Sequence, residues 1–155
     1  MKFNTIDDQD TTIIRLLSRD GKTTYQEIAN LLNFSPQTIS DRVDKLVKKG
    51  IIKRFTIEID PEKIGYEIEF ICELDIDASV MEEVLEVLQK ISEIHAIRIT
   101  TGIHDILCIG NASSIQNLHD VVEKKISTIK GVRKTYTSIT LRKVKTTQVM
   151  NLVEV

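Results

Sequence analysis

The sequence has little of what marks several protein classes. It holds only two cysteines, Cys72 and Cys108. Each stands alone in an apolar, strand-like run, outside any CxxC or Cys/His cluster, so both read as small buried hydrophobes rather than metal ligands or disulfide partners. No apolar run is long enough to span a bilayer, and Met1-Lys2-Phe3-Asn4 lacks the apolar core of a signal peptide. A cytoplasmic protein with no membrane association is therefore expected. No glycine-rich phosphate cradle, nucleophile elbow or paired-carboxylate motif is present, so neither enzyme activity nor a cofactor is expected. His95, His104 and His119 fall in no ligand spacing such as HxxxH, so no metal site is expected. No repeat or low-complexity segment stands out.

What is there is a globular composition: 155 residues, 41% hydrophobic and 28% charged, enough for one ordinary domain or two small ones. The net charge of -2 conceals an asymmetry. Residues 1–65 carry eleven Lys/Arg against ten Asp/Glu, and residues 66–155 carry ten against thirteen. Between Arg42 and Arg54, six bases (Arg42, Lys45, Lys48, Lys49, Lys53, Arg54) face one acid, Asp44. A phosphate-facing surface needs such a local basic stretch, although a solvated helix face would read the same way.

The first third reads as three helices. Ile13, Ile14, Leu16 and Leu17 form an apolar stripe within residues 7–19, which Asp20-Gly21 ends. Thr24-x-x-Glu27 is a capping box for a helix running to about Leu32. Ser35 caps a third helix with Pro36 in its first turn, and this helix buries Ile39, Val43 and Leu46 before Gly50 stops it. A helix-turn-helix needs a small residue where its helices cross and a residue tolerant of the left-handed conformation between them. Ala29 supplies the first, and Asn33 is the best substitute for glycine at the second. If the third helix enters a major groove, Ser35, Pro36, Gln37, Thr38, Ser40, Asp41 and Arg42 are its exposed leading residues. Gln37 suits adenine and Arg42 suits guanine or a phosphate; Asp41 reads cytosine or pairs with a neighbouring Arg or Lys. Lys45, Lys48 and Lys49 add nonspecific, salt-sensitive attraction.

Beyond this the period changes. Ile51–Ile59 reads as an extended linking strand, and Asp60-Pro61-Glu62-Lys63 as a turn at a domain boundary. Ile68, Phe70, Cys72, Leu74 and Ile76 alternate with mostly acidic residues as a half-buried strand. Val80, Val84, Val87, Leu88 and Ile91 give a helix. Residues 94–101 and 105–112 give two strands joined at Gly102-Ile103-His104. Ile115, Leu118, Val121, Val122 and Ile126 give a second helix, and residues 132–144 a last strand. The order β-α-β-β-α-β is the ferredoxin-like unit. With two helices on one face, the other sheet face needs cover, and a second copy of the sheet is the expected cover.

Here the segments Ile6-Asp7-Asp8-Gln9-Asp10, Tyr25–Leu46 and Gly50-Ile51-Ile52-Lys53 resemble the Lrp/AsnC (leucine-responsive/asparagine-regulator) family of transcription regulators. The resemblance continues through Asp60-Pro61-Glu62-Lys63-Ile64-Gly65, Thr101-Gly102-Ile103-His104-Asp105 and Gly131-Val132-Arg133, ending near Val144-Lys145. It implies dimers that usually build octamer-like assemblies and bind amino acids or related metabolites between adjacent dimers. It also implies an effector site at Thr101, Gly102, His104 and Asp105, with Thr135 and Thr137 contributing from the last strand. Backbone N–H groups near Gly102 would hold a carboxylate and Asp105 an amino group; the bland alternative is that Gly102 and Asp105 only shape a tight turn. His104 stands where Tyr or Phe is common, and Asn33 where Gly is usual.

The expected architecture is α+β: a winged-helix-like helix-turn-helix domain over 1–50, a linking strand and hinge over 51–65, a ferredoxin-like effector and dimerisation domain over 66–145, and a tail over 146–155. The expected function is sequence-specific regulation of transcription on partly palindromic double-stranded DNA, with Ser35, Pro36, Gln37, Thr38, Ser40, Asp41, Arg42, Lys45 and Lys49 at the DNA. The alternative is that the ferredoxin-like half is an enzyme or free-standing metabolite-binding module and the helical half an oligomerisation element.

Overall fold

A computed structural model describes residues 6–144. The chain divides into two compact units, one reaching Glu58 and the other starting at Ile59. The expected tail over 146–155 lies outside the described residues.

In the first unit, each helix starts where a side chain takes up the orphan N–H groups of its first turn. Helix α1 (Asp8–Arg19) begins at Asp7, whose carboxylate accepts the Asp10 N–H at 2.7 Å while Asp10 reaches back to the Asp7 N–H. Helix α2 (Tyr25–Leu32) opens with the reciprocal Thr24/Glu27 box. Helix α3 (Pro36–Lys48) opens at Ser35, whose Oγ accepts the Thr38 N–H at 3.1 Å, and Pro36 sits where a missing N–H costs nothing. Between α2 and α3, Asn33 adopts φ 56 and ψ 44; among the described residues no other non-glycine has positive φ. Its side chain tolerates this left-handed conformation better than other L residues do. Ile13, Ile28, Ala29, Ile39 and Val43 then close a small core.

Residues 51–60 form no strand. The linking strand expected there is corrected: alternation alone does not make a strand, which needs a neighbouring backbone to bond, and no described segment of the chain pairs here. Phe55, Ile57 and Ile59 remain exposed at 54%, 77% and 54%. The Asp60-Pro61 turn forms as expected, with Asp60 Oδ1 accepting the Glu62 N–H and Gly65 at φ 91.

The second unit contains β1 (Ile68–Ile76), α4 (Met81–Leu88), β2 (Ile94–Ile99), β3 (Ile106–Ala112), α5 (Ile115–Asp120) and β4 (Val132–Ile139). A π-helical turn, Val121–Ile126, extends α5. The strand order is β2-β3-β1-β4 with every neighbouring pair antiparallel, the ferredoxin-like arrangement. Phe70, Cys72, Leu74 and Ile76 of β1 and Ile106, Cys108 and Ala112 of β3 are buried in one core with Val84, Leu88, Val121 and Ile126. The alternate residues Ile71, Glu73 and Asp75 point to the opposite face and are only half-buried. Cys72 and Cys108 are register partners and free thiols, and burial pushes the Cys108 thiol up to about 12, so both pack as inert hydrophobes.

Gly110 is a site of close approach, since a Cβ there would sit 2.4 Å from the Glu93 carbonyl oxygen and 2.5 Å from the Phe70 ring. Strand β4 is shorter than the expected 132–144. Its pairing with β1 ends where the Thr140 N–H bonds the Glu69 carbonyl, because β1 itself begins at Ile68.

Candidate DNA-binding surface and effector loop

Helix α3 turns Ile39, Val43 and Leu46 inward, which leaves Gln37, Asp41, Lys45 and Lys48 along its outer face at helical spacing. Ser35, Pro36 and Lys49 are exposed as well. Gln37 donates from Nε2 to Asp41 Oδ1 at 2.9 Å, so the two polar side chains stand as a bonded pair. Asp41 thus takes an amide as its partner. Thr38 and Ser40, expected among the exposed leading residues, are half-buried; the Thr38 hydroxyl is 2.8 Å from Ser35 Oγ, inside the cap.

Arg42 is the main correction on this surface. It was expected to reach guanine or phosphate, yet its guanidinium is turned back onto α1. One nitrogen lies 2.8 Å from Asp7 Oδ2 and 2.7 Å from Asp10 Oδ1, and the other donates to Gln9 Oε1 at 2.9 Å. The guanidinium carbon lies 5.7 Å from the centre of the Phe34 ring, within cation–π range. The Arg42 side chain is 26% exposed. Its two carboxylate partners raise its already high pKa further. The Asp10 N–H and then Arg42 hold the Asp7 carboxyl below its ordinary value. The signal that could have revealed this is the cluster of acids at Asp7, Asp8 and Asp10, which a sequence reading leaves unused.

In the second unit the loop between β2 and β3 presents Thr101, Gly102 and Ile103 at the surface, with Ile103 94% exposed. Asp105 has a partner for its carboxylate within the chain. Its Oδ2 accepts the Ile76 N–H at 2.9 Å, while its backbone N–H bonds the Leu74 carbonyl at 3.0 Å. Arg133 donates to the Ile76 carbonyl oxygen. The two side chains thereby satisfy both backbone groups of Ile76, where the β1–β4 register shifts. The turn-shaping alternative is thus closer to the structure, except that Asp105 bonds a neighbouring strand rather than its own turn.

His104 Nδ1 lies 2.8 Å from Asp75 Oδ1, and the Tyr136 hydroxyl donates to Asp75 Oδ2 at 3.3 Å. The two rings pack with centroids 4.3 Å apart. His104 and then Tyr136 lower the Asp75 pKa. Thr135 and Thr137 instead share the register positions of Leu74 and Cys72, on the other face of β4, with Thr137 Oγ1 3.6 Å from Cys72 Sγ. The six expected effector residues are therefore not brought into one pocket by a single chain. Sequence reasoning missed Asp75 and Tyr136, which carry no motif of their own. Among the described residues no group of three His, Cys, Asp or Glu side chains is placed to hold a metal ion.

Two family models match the chain: a winged helix-turn-helix DNA-binding domain over residues 6–53 and the Lrp/AsnC ligand-binding domain over residues 69–150. The transcriptional regulator LrpA of Pyrococcus horikoshii is 35% identical over 140 residues, covering 90% of this chain and 99% of that protein. The chain belongs to the Lrp/AsnC family. Escherichia coli AsnC superposes with a TM-score of 0.89 at 30% identity, covering 93% of this chain and 97% of AsnC. The fold also matches a Neisseria meningitidis transcriptional regulator solved with L-Met, at TM-score 0.91 and 21% identity, with 96% and 97% of the two chains covered.

As an Lrp/AsnC member the chain is a DNA-binding helix-turn-helix transcription regulator with a ligand-binding domain, and its family is one of regulators rather than enzymes. The expected winged-helix-like and ferredoxin-like architecture agrees with these relatives. Among the described residues no helix is long and apolar enough to cross a membrane.

Proposed function

We propose that this Lrp/AsnC regulator works in the cytoplasm as a homodimer, or as an octamer-like assembly of dimers, that reads partly palindromic duplex DNA with paired α3 helices. The observation that carries this reading is the outer face of α3. A Ser35-capped helix held at the Asn33 turn presents the Gln37–Asp41 pair at its start and Lys45, Lys48 and Lys49 behind it. That is base-reading chemistry ahead of phosphate-neutralising chemistry. Ser35 and Pro36 lead the contact, with Thr38 and Ser40 reaching the DNA only at its margin. Two-fold pairing places two such helices in successive major grooves.

The helix-free sheet face favours a second copy as its cover, since Ile71, Leu107 and Ile109 lie half-buried there. Exposed Phe55, Ile57 and Ile59 favour a partner for the linking segment in the same dimer. In this reading residues 1–50 read DNA, 51–65 link, and 66–145 assemble and bind the effector.

An amino acid or related metabolite is the proposed effector class. The L-Met complex of the Neisseria regulator supports that class. The exposed Thr101-Gly102 tip supplies backbone N–H groups for a carboxylate, with His104, Thr135 and Thr137 completed by a neighbouring copy. Asp105 positions the loop through Ile76. An effector shifts DNA affinity only by binding one assembly state better than another.

The test is selection of bound duplexes from a random-sequence library, followed by affinity measurement against salt and by melting and light scattering with each common amino acid. A selected sequence with two half-sites about 10 base pairs apart, and steep loss of affinity with salt, is the expected result. No sequence preference would remove the sequence-specific reading by paired α3 helices. No amino acid changing either melting or assembly would remove only the effector.

A further inference from the structure

We propose that Arg42 is a positioning residue for DNA recognition: its guanidinium, held by Asp7, Gln9 and Asp10, fixes α1 against α3 and so sets where the Gln37–Asp41 pair stands in the groove. The inference rests on the reading of α3 as the DNA-facing helix and reassigns a residue that sequence alone places among the readers.

Four observations point the same way. The three acceptors on Arg42 all come from the first turn of α1, 32 to 35 residues away in the chain. Asp7 is fixed before Arg42 reaches it, because the Asp10 N–H already holds its carboxylate at 2.7 Å. The guanidinium also covers Phe34, the residue directly after the Asn33 turn, whose N–H bonds the Ala29 carbonyl. One side chain therefore ties α1, the turn and α3 together. Finally, two carboxylates around one guanidinium leave the spot net negative, which repels a phosphate rather than attracting it.

The apolar core of this unit is small: Ile13, Ile28, Ala29, Ile39 and Val43 are buried in its cluster, with partly buried side chains such as Leu16, Leu32 and Phe34 packed against it. A rigid planar fork adds directional specification to that packing, because it meets several acceptors in one geometry only. The requirement at the DNA is strict. Base-edge hydrogen bonds form over only about 0.5 Å of donor–acceptor distance, so a small slide of α3 loses them while leaving general charge attraction intact.

The experiment uses the full chain and a duplex that the wild type selects from a random-sequence library, with a scrambled duplex of equal length as competitor. Arg42→Ala, Arg42→Lys and the double variant Asp7→Asn/Asp10→Asn are compared with wild type by affinity for both duplexes across a salt series. Circular dichroism confirms the helix content of each at the assay temperature. Asn caps a helix as well as Asp, so the double variant keeps the start of α1 while removing the charges that hold Arg42.

Arg42→Lys should lose nearly as much operator affinity as Arg42→Ala, about tenfold or more, because an ammonium cannot span three acceptors. Arg42→Lys keeps the charge, so its competitor affinity and salt slope should stay close to wild type while its operator affinity falls. The double variant removes two negative charges beside DNA, so general electrostatics raises its affinity; positioning instead lowers its operator-to-competitor ratio. The proposal is overturned if Arg42→Lys binds the operator like wild type while Arg42→Ala does not. It is equally overturned if the double variant binds the operator more tightly at an unchanged ratio. A wild type that selects no sequence at all removes the proposed base-reading role of α3, and this inference with it, before any variant is made.

Discussion

Five buried residues form the core cluster of the helical unit, and fifteen form that of the sheet unit. The polar contacts differ in kind as well. Arg42 meets the side chains of α1 in the first unit, whereas Asp105 and Arg133 meet the backbone of Ile76 in the second. A sheet already fixes its strands by backbone pairing and a large apolar layer. There Asp105 and Arg133 satisfy the peptide groups that a register shift leaves over, while His104, Asp75 and Tyr136 pair with one another on the sheet's other face. Three short helices have no pairing between backbones, so their arrangement rests on side chains alone, apolar packing and the Arg42 contacts together.

Truncating each core should produce the largest effects. Phe70→Ala should cost the sheet unit about 3–5 kcal/mol, and Ile39→Ala the helical unit about 2–5 kcal/mol. Because the helical core is smaller, the second loss is the more damaging for its unit. Calorimetry should show Ile39→Ala abolishing DNA binding while the sheet transition persists. A single transition lowered equally by both variants would break the comparison.

The turn comes next in size. Asn33→Ala should destabilise the helical unit by about 1 kcal/mol, because a residue in the left-handed region loses its local side-chain compensation. Asn33→Gly should be neutral or slightly stabilising, since glycine adopts that region without strain. Thermal melts of both variants check the prediction, and Ala tolerated as well as Gly would contradict it.

The smallest effect is a pH dependence. The folded-state pKa values of Asp7 and Asp75 are both depressed below the ordinary 3.8, Asp7 chiefly by the Asp10 N–H and Arg42, Asp75 chiefly by His104. A carboxyl with a depressed folded pKa contributes stability that is fully present above its unfolded value and is lost as pH falls through the folded one. Urea midpoints should therefore decline below about pH 4, and Asp7→Asn and Asp75→Asn should each flatten the decline. An identical slope in both variants would remove these two groups as its source.

Sequence reading succeeded where the physics is local. The caps at Thr24 and Ser35, the left-handed Asn33 and the alternation of β1 each depend on residues within a few positions, and the helices around the turn and the first strand follow from them. It failed where partners are distant. Arg42 looked like a free cation because its carboxylates lie more than 30 residues away, and Asp105 looked free because Ile76 lies 29 residues away. The linking strand was overread because alternation records which residues are apolar and not whether a neighbouring backbone exists. The last strand was overextended for the same reason, since its end is set by where β1 begins.

The strand order carries a consequence for synthesis. Strand β1 is central and pairs with both β3 and β4, so it emerges from the ribosome early but must wait until Ile139 has been made before its second edge is covered. The helical unit needs nothing beyond about residue 52 to close its core. The vectorial order of translation thus completes the helical unit first and leaves the alternating, half-apolar β1 exposed through most of elongation. The acids on its other face (Glu69, Glu73, Asp75) are charges of the kind that discourage an uncovered strand from pairing with another chain.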